Sequence, residues 1–289
     1  MADYTERRWT SRDGLNLYAR DYAGVGGEAR LPIICLHGLT RNSKDFADVA
    51  PWMAGTGRRV LVPDVRGRGL SGRDPDPSHY TPKVYARDVL GLLRSLGLAR
   101  AVFLGTSMGG IITMTMMSMR PNVVAAAILN DVGPEVAPEG IARIMSYVGQ
   151  NAEVRDWTEA ADYVRRTNGA AFPDYGPAEW DRLARNIFRD NAGVPELDYD
   201  ARILLPLLRL KPGAHRRLAW FLFRWLARTR PTLLVRGAQS DVITPAIADK
   251  MARKAPGLRR VDVPGVGHAP MLTEYAAVEA IDQFLNMVG

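Results

Sequence analysis

Short apolar runs alternate with stretches of helical periodicity along most of this chain. The runs lie at residues 32–36, 59–62, 101–104, 123–129, 231–235 and 260–263, with helical stretches at 46–53, 84–96, 111–119, 245–255 and 276–287. Runs this short and apolar are typical of strands that are covered on both faces. Strands that alternate with helices predict a parallel sheet between two layers of helices.

Two further features complete the predicted architecture. Residues 6–10 and 16–22 alternate polar with apolar positions, which predicts an edge hairpin and brings the sheet to eight strands. Residues 134–229 contain helix-like stretches and several prolines but no clear strand. We therefore predict an α/β fold with a core from residues 1–133 and 230–289, and a helical cap, 134–229, inserted after the sixth strand.

The composition is that of an ordinary globular protein: of 289 residues, 47% are hydrophobic and 24% are charged. The one cysteine, Cys35, lies inside an apolar run, so we expect it to be a buried hydrophobic side chain. The first residues lack the apolar core of a signal peptide, and no apolar segment reaches about 18 residues. We therefore expect a cytoplasmic protein without integral membrane association.

The net charge of +7 raises the question of a nucleic-acid partner. The arginines, however, are interspersed with aspartates and glutamates, and no helix-turn-helix, zinc-finger spacing or aromatic RNA-binding motif accompanies them. We therefore predict a solvated cationic surface and no nucleic-acid partner. No cluster of cysteine, histidine and carboxylate residues has metal-ligand spacing, so we also expect no metal. The pattern leaves open whether the protein is a monomer or a homodimer.

The segment Gly105-Thr106-Ser107-Met108-Gly109 lies between a predicted strand and a predicted helix. A G-x-S-x-G motif in this position presents a serine nucleophile on a sharp turn. The five residues alone are a weak match, because a serine that caps a helix after a glycine-rich turn would look the same. The role of Ser107 therefore depends on partners elsewhere in the chain.

A nucleophilic serine needs a base, and His268 is the candidate because it lies in the loop after the last predicted strand. His79 and His215 lie in polar or basic segments and are expected at the surface. The third member must be a carboxylate, and two residues compete for this role. Asp131 follows the sixth strand, but the usual arrangement has the acid after the penultimate strand and favours Asp241.

A tetrahedral oxyanion also needs amide donors. We expect one to be the N–H of Met108, which follows the serine, and the other to be the N–H of Leu39 in the loop after the third strand. Gly38 gives this loop the freedom to turn an N–H inward. His37, at the end of that strand, is expected to support the loop by hydrogen bonding.

At these motifs the chain resembles the α/β-hydrolase family, in the capped group that includes carboxylesterases and carbon–carbon bond hydrolases. The resemblance covers nearly the whole chain and rests on the segments 37–40, 64–71, 105–109, 240–241 and 267–270. In the family, a segment like 64–71 is a structural loop beside the active site. Epoxide hydrolases and haloalkane dehalogenases of this fold carry an aspartate nucleophile, so Ser107 counts against both activities.

The implied chemistry is that of a serine hydrolase, specifically a carboxylesterase that uses Ser107, His268 and Asp241 and forms an acyl-enzyme. Its expected substrates are small to medium apolar acyl or aromatic esters, and it needs no cofactor. Three alternatives stay open: a carbon–carbon bond hydrolase of vinylogous diketones, a lactonase or perhydrolase, and a non-catalytic ligand receptor on the same fold.

The segment 218–226 is apolar on nearly every face and is flanked by arginines. A basic aromatic helix of this kind is typical of proteins that lie on a membrane surface. Apolar residues all round are also typical of a buried helix. We expect the second case, with this helix packed over the active site as part of the cap.

Overall fold

The computed structural model describes residues 4–26, 30–149, 152–209, 213 and 215–289, so the predicted core and cap each include a few positions outside the described residues. Within these ranges the strands are β1 (Thr5–Thr10), β2 (Asn16–Tyr22), β3 (Ile33–Leu36), β4 (Val60–Asp64), β5 (Ala101–Thr106), β6 (Val124–Asn130), β7 (Phe188–Asn191), β8 (Val194–Leu197), β9 (Thr232–Gly237) and β10 (Leu258–Val263). The helices are α1 (Val49–Gly55), α2 (Pro82–Ser95), α3 (Met108–Met119), α4 (Pro138–Met145), α5 (Trp157–Asn168), α6 (Pro177–Ile187), α7 (Leu204–Leu208), α8 (Arg216–Thr229), α9 (Pro245–Lys254) and α10 (Tyr275–Met287).

Eight of the strands form one sheet in the order β1-β2-β4-β3-β5-β6-β9-β10. Strand β2 runs antiparallel to β1 and β4, and all other neighbours in the sheet are parallel. The predicted fold class, a mostly parallel eight-stranded sheet with helices around it, is confirmed.

The side chains of the central strands alternate between two hydrophobic cores. On β5, Phe103 faces a core shared with α2, α3, α8 and α9, whereas Val102 and Leu104 face a core shared with α1 and α10. Successive side chains of a strand point to opposite faces, so a strand covered on both sides must be apolar at every position. This explains the short apolar runs of the sequence.

The segment between β6 and β9 contains a second, two-stranded antiparallel sheet formed by β7 and β8. The expectation that this segment contains no strand is therefore wrong. Three of the four residues of β7 are exposed, and β8 contains Pro195, which has no N–H to donate to a ladder. Neither strand therefore carries the apolar alternation that identifies a strand in a sequence.

Helix α8 contains the apolar segment 218–226 and packs on the flank of the sheet. Phe223 and Leu226 join the core that also contains Met116 and Met117 of α3. The helix ends shortly before β9 begins, so it must finish at the amino end of that strand, opposite the carboxyl ends where ligands bind. Its expected position over the active site is therefore wrong. In the described ranges, no helix is both long and apolar enough to cross a membrane.

Candidate active site

Ser107 occupies a tight turn between β5 and α3. Its φ of 50° lies in the left-handed region that side chains rarely adopt. The turn is held because the Ser107 N–H donates to the carbonyl oxygen of Asn130, 3.0 Å away at the end of β6. A Cβ on Gly109 would lie 2.1 Å from the Leu36 carbonyl oxygen, so only glycine fits where α3 passes β3. This is the geometry of a nucleophile elbow.

His268 lies between Ser107 and Asp131. Its Nε2 atom is 3.0 Å from Ser107 Oγ, and its Nδ1 atom is 2.7 Å from Asp131 Oδ2. A carboxylate oxygen accepts a hydrogen bond, so Nδ1 carries the ring proton and Nε2 is free to accept the serine proton. A base that reaches the serine and is oriented by a carboxylate is the arrangement of a catalytic triad.

Asp131 is completely buried and accepts hydrogen bonds on both carboxylate oxygens. Oδ1 accepts from the Gly237 N–H at 3.1 Å, and Oδ2 accepts from the Ser240 hydroxyl at 2.6 Å as well as from His268. The Ser240 hydroxyl oxygen in turn accepts from the N–H of Val242. These hydrogen bonds replace the ones that the carboxylate would receive from water if it were exposed.

Asp241, the acid favoured in the sequence, is turned towards α4 instead. Its two oxygens accept from Arg143 Nε and Nη2 at 2.6 and 2.8 Å, and this hydrogen bonding is the main reason that the pKa of the Asp241 carboxyl is lowered. The expectation that Asp241 holds His268 is corrected, since the residue in that position is Asp131. Sheet order gives the reason: β6 lies beside β5, which leads to Ser107, whereas β9 is one strand further away.

The two residues predicted to stabilise an oxyanion lie near the serine. Leu39 lines the same pocket as Ser107, and Met108 opens α3. Within the described part of the chain, neither N–H donates to a protein acceptor. Arg68 contacts both residues, because its Nε donates to the Leu39 carbonyl oxygen at 2.9 Å and its Nη2 lies 3.6 Å from Met108 Sδ. Through Arg68, the segment 64–71 therefore supports both residues that are expected to supply oxyanion donors.

His37 joins two loops beneath the site. Its Nδ1 donates to the Gly38 carbonyl oxygen at 2.8 Å, and its Nε2 accepts from the Val65 N–H at 3.0 Å. These partners fix the neutral tautomer with the proton on Nδ1. Burial lowers the pKa of His37 to about 3, so the ring is uncharged at neutral pH.

The loop that carries His268 is held from two sides. Asn130 Nδ2 donates to the Pro270 carbonyl oxygen at 2.8 Å and to Thr106 Oγ1 at 3.0 Å. From the other side, the Gly267 N–H donates to the Ala171 carbonyl oxygen at 2.7 Å. The imidazole is therefore positioned both by β6 and by the segment inserted after it.

A cavity of about 100 Å³ lies above Ser107 and His268. Much of its wall comes from the segment 134–229, which contributes Tyr147, Tyr163, Phe172, Ile187, Leu197 and Tyr199. Burial raises the pKa values of the Tyr147 and Tyr163 hydroxyls, so both stay protonated and can donate hydrogen bonds. The cavity thus combines an apolar wall with a few polar groups.

Comparison with known proteins decides the family. A family model of the alpha/beta hydrolase fold matches residues 32–275. The chain belongs to the α/β-hydrolase family. A 3-hydroxybutyrate-oligomer hydrolase of Cupriavidus necator is 34% identical to it over 261 residues, which is 88% of each chain.

Two further relatives resemble this α/β-hydrolase over most of its length. The sn-1-specific diacylglycerol lipase ABHD11 of Mus musculus is 40% identical over 251 residues, covering 86% of this chain and 78% of the lipase. A crystal structure of an alpha/beta hydrolase from Novosphingobium aromaticivorans has a TM-score of 0.91 and 43% identity over the full length of both chains. The relatives are named as hydrolases.

Several residues support the site of this α/β-hydrolase although the sequence pattern does not identify their role. Asn130 ends a buried strand, and nothing in its neighbourhood marks it as a contact of the distant Pro270. The tyrosines of the cavity lie on helices and loops where aromatic residues are equally typical of core packing. Ser240 contacts Asp131, which lies more than 100 residues earlier in the chain, and nothing in the sequence around Ser240 indicates that contact.

Proposed function

We propose that this protein is a serine ester hydrolase in which Ser107 is the nucleophile, His268 the base and Asp131 the acid. The observation that carries the proposal is the unbroken hydrogen-bond chain from Ser107 Oγ through the imidazole to Asp131 Oδ2, with distances of 3.0 and 2.7 Å. Relatives named as an oligomer hydrolase and a lipase support the same class of reaction.

The proposed reaction proceeds through an acyl-enzyme. Ser107 Oγ attacks the ester carbonyl carbon while His268 Nε2 takes the hydroxyl proton, and the N–H groups of Leu39 and Met108 donate to the oxyanion. The protonated His268 then gives its proton to the leaving alkoxide oxygen as the ester C–O bond breaks. Water repeats the cycle on the acyl-enzyme, which releases the carboxylic acid and restores the serine.

The proposed substrates are esters with a short, mainly apolar acyl group. The cavity of about 100 Å³ is well below the roughly 300–1,000 Å³ of pockets that enclose a drug-sized ligand. Phe172 and Leu197 give part of its wall an apolar character, and Tyr147 adds a hydroxyl donor. Short hydroxyacid esters fit this combination, and the relative named as a 3-hydroxybutyrate-oligomer hydrolase makes 3-hydroxybutyrate dimers and trimers the first such esters to test.

The test compares turnover of p-nitrophenyl esters from acetate to laurate, 3-hydroxybutyrate dimer and trimer, a lactone and a vinylogous diketone. We expect the short esters to be cleaved fastest, and Ser107→Ala to lower turnover by about 10⁴-fold or more, because triad members act as a unit. A fluorophosphonate should label the wild-type protein and leave Ser107→Ala unlabelled, which separates an enzyme from an inert receptor. No ester hydrolysis across the panel, or near wild-type turnover by folded Ser107→Ala, would defeat the proposal.

A further inference from the structure

The outer side of α8 carries a stripe of basic and aromatic side chains. Arg217, Phe221, Arg224 and Arg228 follow one another at helical spacing, so they lie on one face, and Trp225 borders them. We call these five residues the basic aromatic face. Phe221 is 60% exposed, and none of the three arginines is buried. The fold therefore leaves this face of the helix at the surface.

Helix α9 extends the same surface with two lysines. The ammonium groups of Lys250 and Lys254 lie 5.0 and 5.9 Å from the centre of the Trp220 ring. A groove of about 710 Å³ runs between the two helices, and the described residues that line it include six arginines and lysines but no carboxylate. Lys250 Nζ pairs with Glu135 at 2.5 Å just outside this lining, so most of the positive charge is not neutralised locally.

We propose that the basic aromatic face is a peripheral docking site for a membrane that contains anionic phospholipid. The charge of the groove is complementary to lipid phosphate, and arginine donors match phosphate oxygens. The aromatic and aliphatic side chains between the arginines favour a lipid surface over a nucleic acid as the partner. Phe221 and Leu218, 60% and 53% exposed, would bury their apolar area at the acyl boundary that lies beneath the phosphates of a membrane.

The position of α8 gives this surface a connection to the active site. Trp220 Nε1 donates to Glu135 Oε2 at 3.2 Å, and Glu135 follows Asp131 by four residues. The first half of α8 therefore lies towards the end of the sheet that holds Ser107. The docking itself does not depend on the proposed ester chemistry.

The test is sedimentation of the full-length protein with vesicles of phosphatidylcholine alone or with 30% phosphatidylglycerol, at low and physiological salt. We expect binding to the anionic vesicles only, weakened by salt. Arg217→Glu/Arg224→Glu should lower the partition coefficient by about tenfold or more. Phe221→Ser, which keeps the charge, should lower it by about threefold or more, since it removes apolar burial. The matched control is Arg8→Glu/Arg12→Glu on and beside β1, at the opposite edge of the sheet, which should leave binding close to wild type.

Two outcomes overturn the proposal. One is the absence of binding to anionic vesicles at low salt by a protein whose thermal unfolding is cooperative. The other is binding that Phe221→Ser leaves unchanged and that double-stranded DNA competes away, which would identify a site for phosphate polymers instead. Circular dichroism of each variant separates lost docking from lost folding. Turnover of a water-soluble ester is measured in parallel, so that failure of the docking and failure of the ester chemistry are distinguishable.

Discussion

The Nδ1 atom of His268 lies 2.7 Å from Oδ2 of Asp131, while Asp241 pairs with Arg143. We therefore expect Asp131→Asn to lower kcat by about 10⁴-fold, because the amide no longer holds the imidazole in the right tautomer. Asp241→Asn should change kcat by less than about tenfold. Steady-state kinetics on a soluble ester measure both, and a larger loss in Asp241→Asn than in Asp131→Asn would show that the acid is assigned to the wrong residue.

Arg68 connects the loop of Leu39 to the start of α3, and its guanidinium uses several donors at once. Nη1 also donates to the Tyr85 hydroxyl at 2.9 Å. Arg68→Lys keeps the charge but cannot reproduce the fork of donors. We expect kcat to fall by about 10- to 100-fold with KM nearly unchanged, because misplaced oxyanion donors weaken transition-state binding. Arg73→Lys, at an exposed position of the following loop, is the matched control and should behave as wild type. A rise in KM with unchanged kcat would contradict this role.

Gly109 lies within α3, where alanine would ordinarily favour the helix by about 1 kcal/mol. A Cβ there would lie 2.1 Å from the Leu36 carbonyl oxygen, so we expect Gly109→Ala to lower the free energy of unfolding by at least about 1–3 kcal/mol. Gly55→Ala is the control, since a Cβ at the end of α1 meets no atom within 4 Å. Urea unfolding should show that control unchanged or slightly stabilised. Equal stability of the two variants would mean that the contact between α3 and β3 relaxes freely.

His37 makes stability depend on pH. Its pKa is about 3 in the folded protein against an ordinary value of 6.5, so between these values the unfolded chain binds a proton that the folded protein does not. The free energy of unfolding therefore falls as the pH falls from about 6.5 towards about 3. We expect His37→Gln to be less stable than wild type at neutral pH but to lose less stability on acidification. Urea unfolding at neutral pH and near pH 4 measures this difference.

Asp64 changes the pH dependence of stability in the opposite direction. It is present in both wild type and His37→Gln. Burial raises its pKa to about 6, so the folded protein binds a proton before the unfolded chain does as the pH falls. Its effect cancels in the comparison of wild type with His37→Gln. Parallel stability curves for the two proteins across the acid range would show that His37 is not the group responsible.

The strands and the elbow could be predicted because their signals are local. Each central strand is buried on both faces, so a few consecutive apolar residues identify it, and the elbow is marked by five consecutive residues between a strand and a helix. The position of His268 is visible in the sequence for the same reason, because it lies just after the last strand. These features need no knowledge of which strands are neighbours.

The acid could not be identified in this way, because the choice depends on sheet order. Asp131 and Asp241 both follow strands, and only the pairing of β6 with β5 places Asp131 beside the elbow. Helix α8 presents a similar problem. Its sequence is apolar on many faces, but whether Phe221 is covered depends on what the rest of the chain places there. The identity of the acid and the exposure of Phe221 both depend on contacts between residues that are far apart in the sequence.

The side chains that contact the His268 ring come from outside the inserted segment. Among the residues that the structure describes, the side chains of Ser107, Asp131 and His268 form hydrogen bonds with one another and with Gly237 and Ser240, all outside the segment 134–229. That segment supplies part of the cavity wall, including its tyrosines, and its Ala171 carbonyl oxygen accepts from the Gly267 N–H beside His268. The proposed reacting groups and part of the substrate wall are thus encoded in separate stretches of the gene. Grafting of another inserted stretch is expected to change the substrate only if the graft keeps the carbonyl oxygen that accepts from Gly267.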